Sequence, residues 1–167
     1  MSAVASAALD EDFLALDMQV CFPLYAASNL LTRLYRPVLA ELGLTYPQYL
    51  VMLVLWQATP QTVGSVGERL YLDSGTLTPL LKRMELAGLV TRTRDAEDER
   101  RVRVDLTPKG RDLRQAAINV PKTLGAGLNM QPADIVALRS QVQDLVAALL
   151  AGGAAQGDLK IREKGTL

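Results

Sequence analysis

The 167-residue chain carries 18 basic and 18 acidic side chains, a single cysteine and no histidine, and 49% of it is apolar. That is enough apolar material for one ordinary core. It excludes an internal disulfide, a zinc site of the usual ligands and a Cys–His catalytic pair, so no metal or cofactor is expected and covalent chemistry falls to Cys21 and the carboxylates.

MSAVASAALDEDF has no basic stretch and carries Asp10, Glu11 and Asp12, unlike a secretory leader. The longest apolar run, YLVMLVLW, is too short to span a bilayer. A cytoplasmic protein with a reduced thiol and no membrane association is the expectation. Charge is uneven: residues 1–61 hold 2 basic and 5 acidic side chains, 62–114 hold 11 and 9, and 115–167 hold 5 and 4. The middle segment is the one in which a polyanion could find cations.

Pro23 suits the first turn of a helix over PLYAASNLLTRLYRPVLAEL, with Leu24, Leu31, Leu34, Val38 and Leu42 at helical spacing. Pro37 is expected to kink or divide it, and Gly43 to end it. Thr45 with Gln48 forms a capping-box pattern opening a second helix, whose body YLVMLVLW is apolar on every face and therefore core. Thr62 opens a short third helix through VGSVGERLYL, weakened by Gly64 and Gly67.

In DSGTLTPLLKRMELAGL, Asp73 or Ser74 is the cap, Leu77, Leu80, Leu81 and Met84 form the buried face, and Gly88 is the stop. Pro79 leaves open a shorter helix capped by Thr78. On the longer reading the opposite face presents Gly75, Thr76, Thr78, Pro79, Lys82 and Arg83. LVTRTR and RVRVDLT then alternate apolar and polar residues around the charged tip DAEDER, the period of a two-stranded ribbon.

A further helix is expected from about Thr107 to Val120, breaking at Pro121, followed by a loose GAGLNMQP stretch. Pro132 opens a last helix in which Ile135, Leu138, Val142, Leu145 and Leu149 form a narrow seam suited to another helix. From about Gly152 no periodicity remains.

The fold class is therefore mainly α with a small β-hairpin, in the order of a winged helix-turn-helix. Such a module puts its second helix in the major groove and its wing on phosphates or the minor groove. Ser74, Thr76 and Thr78 are hydroxyl donors for DNA, and Lys82 and Arg83 neutralise phosphates. Arg92, Arg94, Arg100, Arg101 and Arg103 cluster at the wing. Among its acidic residues Asp98 is placed to hold Arg100 through a bidentate pair. A solvated amphipathic helix and a salt-bridged surface turn are the plainer alternatives.

LYLDSGTLTPLLKRMELAGLVTR and DERRVRVDLT resemble the recognition helix and wing of the MarR family of dimeric bacterial repressors, with that family's D-x-R wing pattern at Asp98 and Arg100. QVCFPLYAASNLLTRLYRPVL and LGLTYPQYLVMLVLW narrow the resemblance to its organic hydroperoxide regulators. The resemblance runs from about Asp17 to about Leu150. It implies a MarR-like homodimer that binds a pseudo-palindromic double-stranded operator, takes an organic hydroperoxide as inducer and derepresses a peroxide-resistance gene.

It also implies that Cys21 is the redox-sensing residue and that Tyr35 and Tyr46 support its thiolate across the dimer. The chemistry agrees: a thiolate attacks peroxides, a helix start favours the anion, and phenols donate hydrogen bonds to it. Phe22 and Leu24 would favour an alkyl over an aqueous peroxide.

One branch of the group carries a second, resolving cysteine near residues 125–129. Here that stretch is GAGLN, with Ala126, so oxidised Cys21 would be capped by a low-molecular-weight thiol, cyclise with a backbone nitrogen or oxidise further. The expected segments are a flexible 1–16, a sensing and dimerisation helix over 17–45, a DNA-binding region over 46–106, dimerisation helices over 107–151 and a flexible tail over 152–167. Two rivals remain: a repressor sensing a small aromatic ligand with Cys21 silent, and a thiol peroxidase.

Overall fold

The computed structural model of the chain describes residues 14–153. The expected flexible ends, 1–16 and 152–167, lie outside the described residues except for 14–16 and 152–153. After a single 3-10 turn at Leu16–Met18 come α1 (Cys21–Glu41), α2 (Tyr46–Gln57), β1 (Gln61–Thr62), α3 (Val63–Leu70), α4 (Ser74–Leu86), β2 (Val90–Arg94), β3 (Val102–Leu106), α5 (Pro108–Ala117), α6 (Lys122–Leu128) and α7 (Pro132–Ala151).

Side chains three residues apart write most helix starts. The Thr45 N–H donates to Gln48 Oε1 at 2.8 Å, Thr62 Oγ1 accepts from the Ser65 N–H at 3.1 Å, and Thr107 Oγ1 accepts from the Gly110 N–H at 3.0 Å. Asp73, not Ser74, caps α4, accepting from the Thr76 N–H at 2.9 Å. The longer reading of α4 is the one adopted. Pro79 withholds a hydrogen bond only from the Gly75 carbonyl, and both residues are exposed, where water can substitute.

Four expectations change. α1 begins at Cys21 rather than Pro23, so the thiol belongs to the first helical turn. It also runs unbroken through Pro37, which faces solvent. GAGL is not loose: it completes α6, which packs along α1 with Gly127 against the Leu34 side chain. The helix opened by Thr107 ends at Ala117, and a turn rather than helix leads to Pro121.

The wing is part of a three-stranded antiparallel sheet in the order β1-β3-β2, with Val90 opposite Leu106, Arg94 opposite Val102 and Gln61 opposite Val104. The apolar body of α2 is central, with Val51, Met52 and Leu55 buried together with Leu77, Leu81 and Met84 of α4 and Val104 of β3. α7 has no buried residue and exposes Val136, Leu138, Val142 and Leu149. No single helix among the described residues is long and apolar enough to cross a membrane.

Candidate sensing site and DNA-binding surface

Tyr35, late in α1, and Tyr46, the first residue of α2, meet where the two helices pack, with ring centroids 5.3 Å apart. Tyr49, one turn further along α2, completes a trio at 6.3 Å from Tyr35 and 6.5 Å from Tyr46. None of the three hydroxyls makes a hydrogen bond among the described residues. Burial pushes all three phenols above their ordinary value of 10.0, and for Tyr35 the neighbouring Tyr46 adds to the rise. They are protonated donors at neutral pH.

A phenol whose folded pKa is raised contributes stability that is present below the unfolded value and lost as pH rises through the folded one. A titration followed at the phenolate absorbance should therefore show these three ionising above pH 10.0, together with loss of helical circular dichroism. Their ionisation at the ordinary value with the helices intact would contradict the packing.

Cys21 is exposed at the other end of α1. Fourteen residues at 1.5 Å of rise put it about 21 Å from Tyr35 along the helix axis. The structure thus brings Tyr35 to Tyr46 and does not bring Cys21 to either within one chain. Around the thiol, Phe22, Leu24 and Tyr25 are exposed apolar or aromatic neighbours.

An open groove of about 510 Å³ runs between α3, α4 and the wing. Ser74 and Thr78 line it opposite Arg92, Arg100 and Arg101. Thr76 is committed elsewhere, since its hydroxyl donates to Asp73 Oδ2 at 2.8 Å and strengthens the helix cap. Lys82 and Arg83 are exposed further along α4 and do not line the groove.

At the wing tip Asp98 serves two arginines. Its Oδ1 accepts from both the backbone N–H and the Nε of Arg100 at 3.1 Å, while Oδ2 lies 3.4 Å from Arg101 Nε. The expected bidentate pair is therefore a single-point contact to each guanidinium, because the tight turn aims each Nε inward. Neither residue's Nη nitrogens bond anything among the described residues, and the Arg100 side chain is 91% exposed. The Arg100 side chain, its N–H and then Arg101 hold the Asp98 carboxyl below the ordinary aspartate range.

Sequence reasoning missed Arg101 as Asp98's second partner, and also missed Glu85. The Glu85 carboxylate takes Arg92 Nε at 2.9 Å, Nη2 at 2.7 Å and its backbone N–H at 3.0 Å, tying the last turn of α4 to β2. Arg92 pulls the Glu85 carboxyl downward in pKa. Seven residues and a turn separate this pair, a spacing with no periodic signal.

The family model "Transcriptional regulator SarA/Rot" matches residues 33–117. The organic hydroperoxide resistance transcriptional regulator of Bacillus subtilis (strain 168) is 48% identical over 139 residues, 83% of this chain and 94% of its own. The chain belongs to the MarR family of transcriptional regulators, in its organic hydroperoxide group.

Among solved structures, reduced AbfR bound to DNA superimposes with a TM-score of 0.68 at 34% identity, covering 81% of this regulator and 94% of AbfR, a Staphylococcus epidermidis protein. Overoxidised AbfR bound to DNA follows at a TM-score of 0.66 and 36% identity, covering 80% and 94%. These relatives are regulators, not enzymes, so the thiol peroxidase rival falls away. The regulator is a winged-helix, DNA-binding protein.

Proposed function

We propose that this regulator is a cytoplasmic homodimeric repressor that holds a pseudo-palindromic operator while Cys21 is reduced and releases it when an organic hydroperoxide oxidises that thiol. The observation that carries the reading is the division of the sensor. A thiol is exposed at one end of α1, and a protonated tyrosine pair with unclaimed hydroxyls lies about 21 Å away at the other. An antiparallel second copy of α1 brings each thiolate to the other chain's phenols. The apolar stripes of α7 and of residues 14–25 supply the surface for that pairing.

In the chemical step the Cys21 thiolate sulfur attacks the terminal oxygen of ROOH. The S–O bond forms, the O–O bond breaks, and the departing alkoxide takes a proton to leave as ROH. Sulfur is oxidised to the sulfenic acid by two electrons and the peroxide is reduced. A low-molecular-weight thiol can then form a mixed disulfide with loss of water. Either product replaces the anion to which the phenols donate, and Tyr35 and Tyr46 lose their partner.

DNA engagement uses Ser74 and Thr78 in the groove, Lys82 and Arg83 on the phosphates, and Arg100 and Arg101 at the wing; Thr76 acts through the cap it forms with Asp73. Two-fold symmetry would set the recognition helices about one DNA turn, ~34 Å, apart. Asp98→Ala removes a negative charge, so simple electrostatics forecasts tighter binding. Because Asp98 aims both arginines, we expect weaker binding. Arg100→Ala should weaken it too and flatten the log K against log salt slope by about 0.9 per lost phosphate contact. Anisotropy titrations decide, and tighter binding by Asp98→Ala would remove the orienting role.

The function itself is tested by adding one equivalent of cumene hydroperoxide to the operator complex, then measuring the mass of the Cys21 peptide and operator occupancy in the same sample. Oxidation with release supports the reading. Oxidised Cys21 on a fully occupied operator overturns it, as does release by an aromatic acid alone with Cys21 still reduced.

A further inference from the structure

Tyr49 is buried, yet the sensing chemistry does not use its hydroxyl. One side of its ring meets Tyr35 and Tyr46. The other meets Trp56 at 6.4 Å and 67°, an edge-to-face contact two turns further along α2. Trp56 in turn donates its indole N–H to the Gly110 carbonyl at 2.8 Å, a bond between residues 54 apart in sequence.

Gly110 lies in the first turn of α5, and that turn grips the place where the recognition helix α4 gives way to the wing. Thr107 Oγ1 donates to the Gly88 carbonyl at 2.6 Å, the Thr107 N–H donates to the Leu89 carbonyl at 3.1 Å, and Lys109 Nζ donates to the Ala87 carbonyl at 2.8 Å. Three consecutive carbonyls just beyond α4 are thus held by one turn of α5. That turn is held by Trp56. Aromatic rings in a close-packed core transmit displacement because they cannot be compressed.

We propose that Tyr49 and Trp56 are positioning residues that carry the state of the Tyr35–Tyr46 pair to the joint between recognition helix and wing. The inference rests on the peroxide-sensing reading above. When the tyrosine pair shifts on oxidation, the Tyr49 ring moves with it and turns Trp56 off the Gly110 carbonyl. The α5 turn then loosens its hold on Ala87, Gly88 and Leu89, and the two recognition helices lose their common register. Continuous contact alone would be weak warrant for coupling, so the test must read the coupling itself.

Trp56 is the chain's only tryptophan, so its emission reports on the middle of the relay without a label. The test uses full-length dimer, with operator affinity measured before and after one equivalent of cumene hydroperoxide and Cys21 oxidation checked by mass. In the wild type, oxidation should shift Trp56 emission and weaken operator binding by a coupling factor on the order of 5–150. Trp56→Phe keeps a ring but not the N–H. It should oxidise normally and bind as wild type does when oxidised, but bind about fivefold more weakly when reduced, so that its coupling factor falls by the same amount, the worth of one part-buried hydrogen bond.

Tyr49→Leu should also lose coupling and should silence the Trp56 emission shift, whereas Tyr49→Phe, with its ring intact, should match wild type. A merely structural role would weaken reduced and oxidised binding alike and leave their ratio unchanged. That result, or wild-type coupling in both Trp56→Phe and Tyr49→Leu, overturns the relay while the sensing reading stands. Wild-type protein that is oxidised but stays bound overturns the sensing reading and the relay with it.

Discussion

Cys21→Ser should bind operator DNA as tightly as wild type and stay bound through an organic hydroperoxide titration that releases wild type. Serine keeps the size of the side chain and a hydrogen-bonding atom at the start of α1, but its hydroxyl is neither an anion at neutral pH nor oxidisable by this route. The groove, Asp98 and its arginines lie on other elements, so reduced-state affinity is preserved. The expected change is loss of the whole response rather than a shift in its midpoint. A mutant released at wild-type peroxide concentrations would show that Cys21 is not the sensor.

The largest loss of stability is expected from Gly110→Ala. A Cβ at Gly110 would collide with the Leu89 carbonyl oxygen and crowd Leu106. The oxygen is backbone already tied to Thr107, so it cannot swing aside as a flexible side chain would. Relief requires α5 to lift from the α4–β2 junction, at a cost of about 3 kcal/mol, equivalent to ~6–12 °C in Tm for a chain of this size. Gly125→Ala is the control, because nothing lies within 4 Å of its added Cβ. Placed inside α6, it should be neutral or stabilising, since alanine is the better helix former. Equal thermal stability of the two variants would dismiss the close approach at Gly110.

The sequence announced elements wherever a local rule was sufficient. Thr45, Thr62, Asp73 and Thr107 each reach a group three residues on, and that spacing is visible in one dimension. The alternation in VTRTR and VRVDL likewise marked the wing strands. Context decided the remainder. Pro37 does not break α1, because the carbonyl it orphans can reach water on this exposed face. Poor helix formers in GAGL become α6 because α1 lies alongside, and a two-residue strand such as β1 has no period to detect.

The site shows the same division. The proposed sensing residues Cys21, Tyr35 and Tyr46, like Asp98 and Arg100 at the wing, are legible in the sequence through the family pattern they resemble. Tyr49 and Trp56 were hidden in YLVMLVLW, because a helix apolar on every side carries no mark of which residues touch which neighbours. Only three-dimensional packing separates the aromatic path from the aliphatic core around it. The grip of Glu85 on Arg92 is similarly a product of the chain turning back on itself.

On the proposed dimer, the length of helix between Cys21 and Tyr35 means that two defective chains should complement each other. Take a mixed dimer of one chain carrying Cys21→Ser and another carrying Tyr35→Phe with Tyr46→Phe. If, as proposed, each thiol draws its phenols from the opposite subunit, both lesions fall in one of the two half-sites and the other is assembled wholly from wild-type residues. The mixed dimer, purified away from both homodimers, should release its operator on peroxide as neither homodimer does, whereas placing all three substitutions on one chain would leave every mixed dimer with a lesion in each half-site.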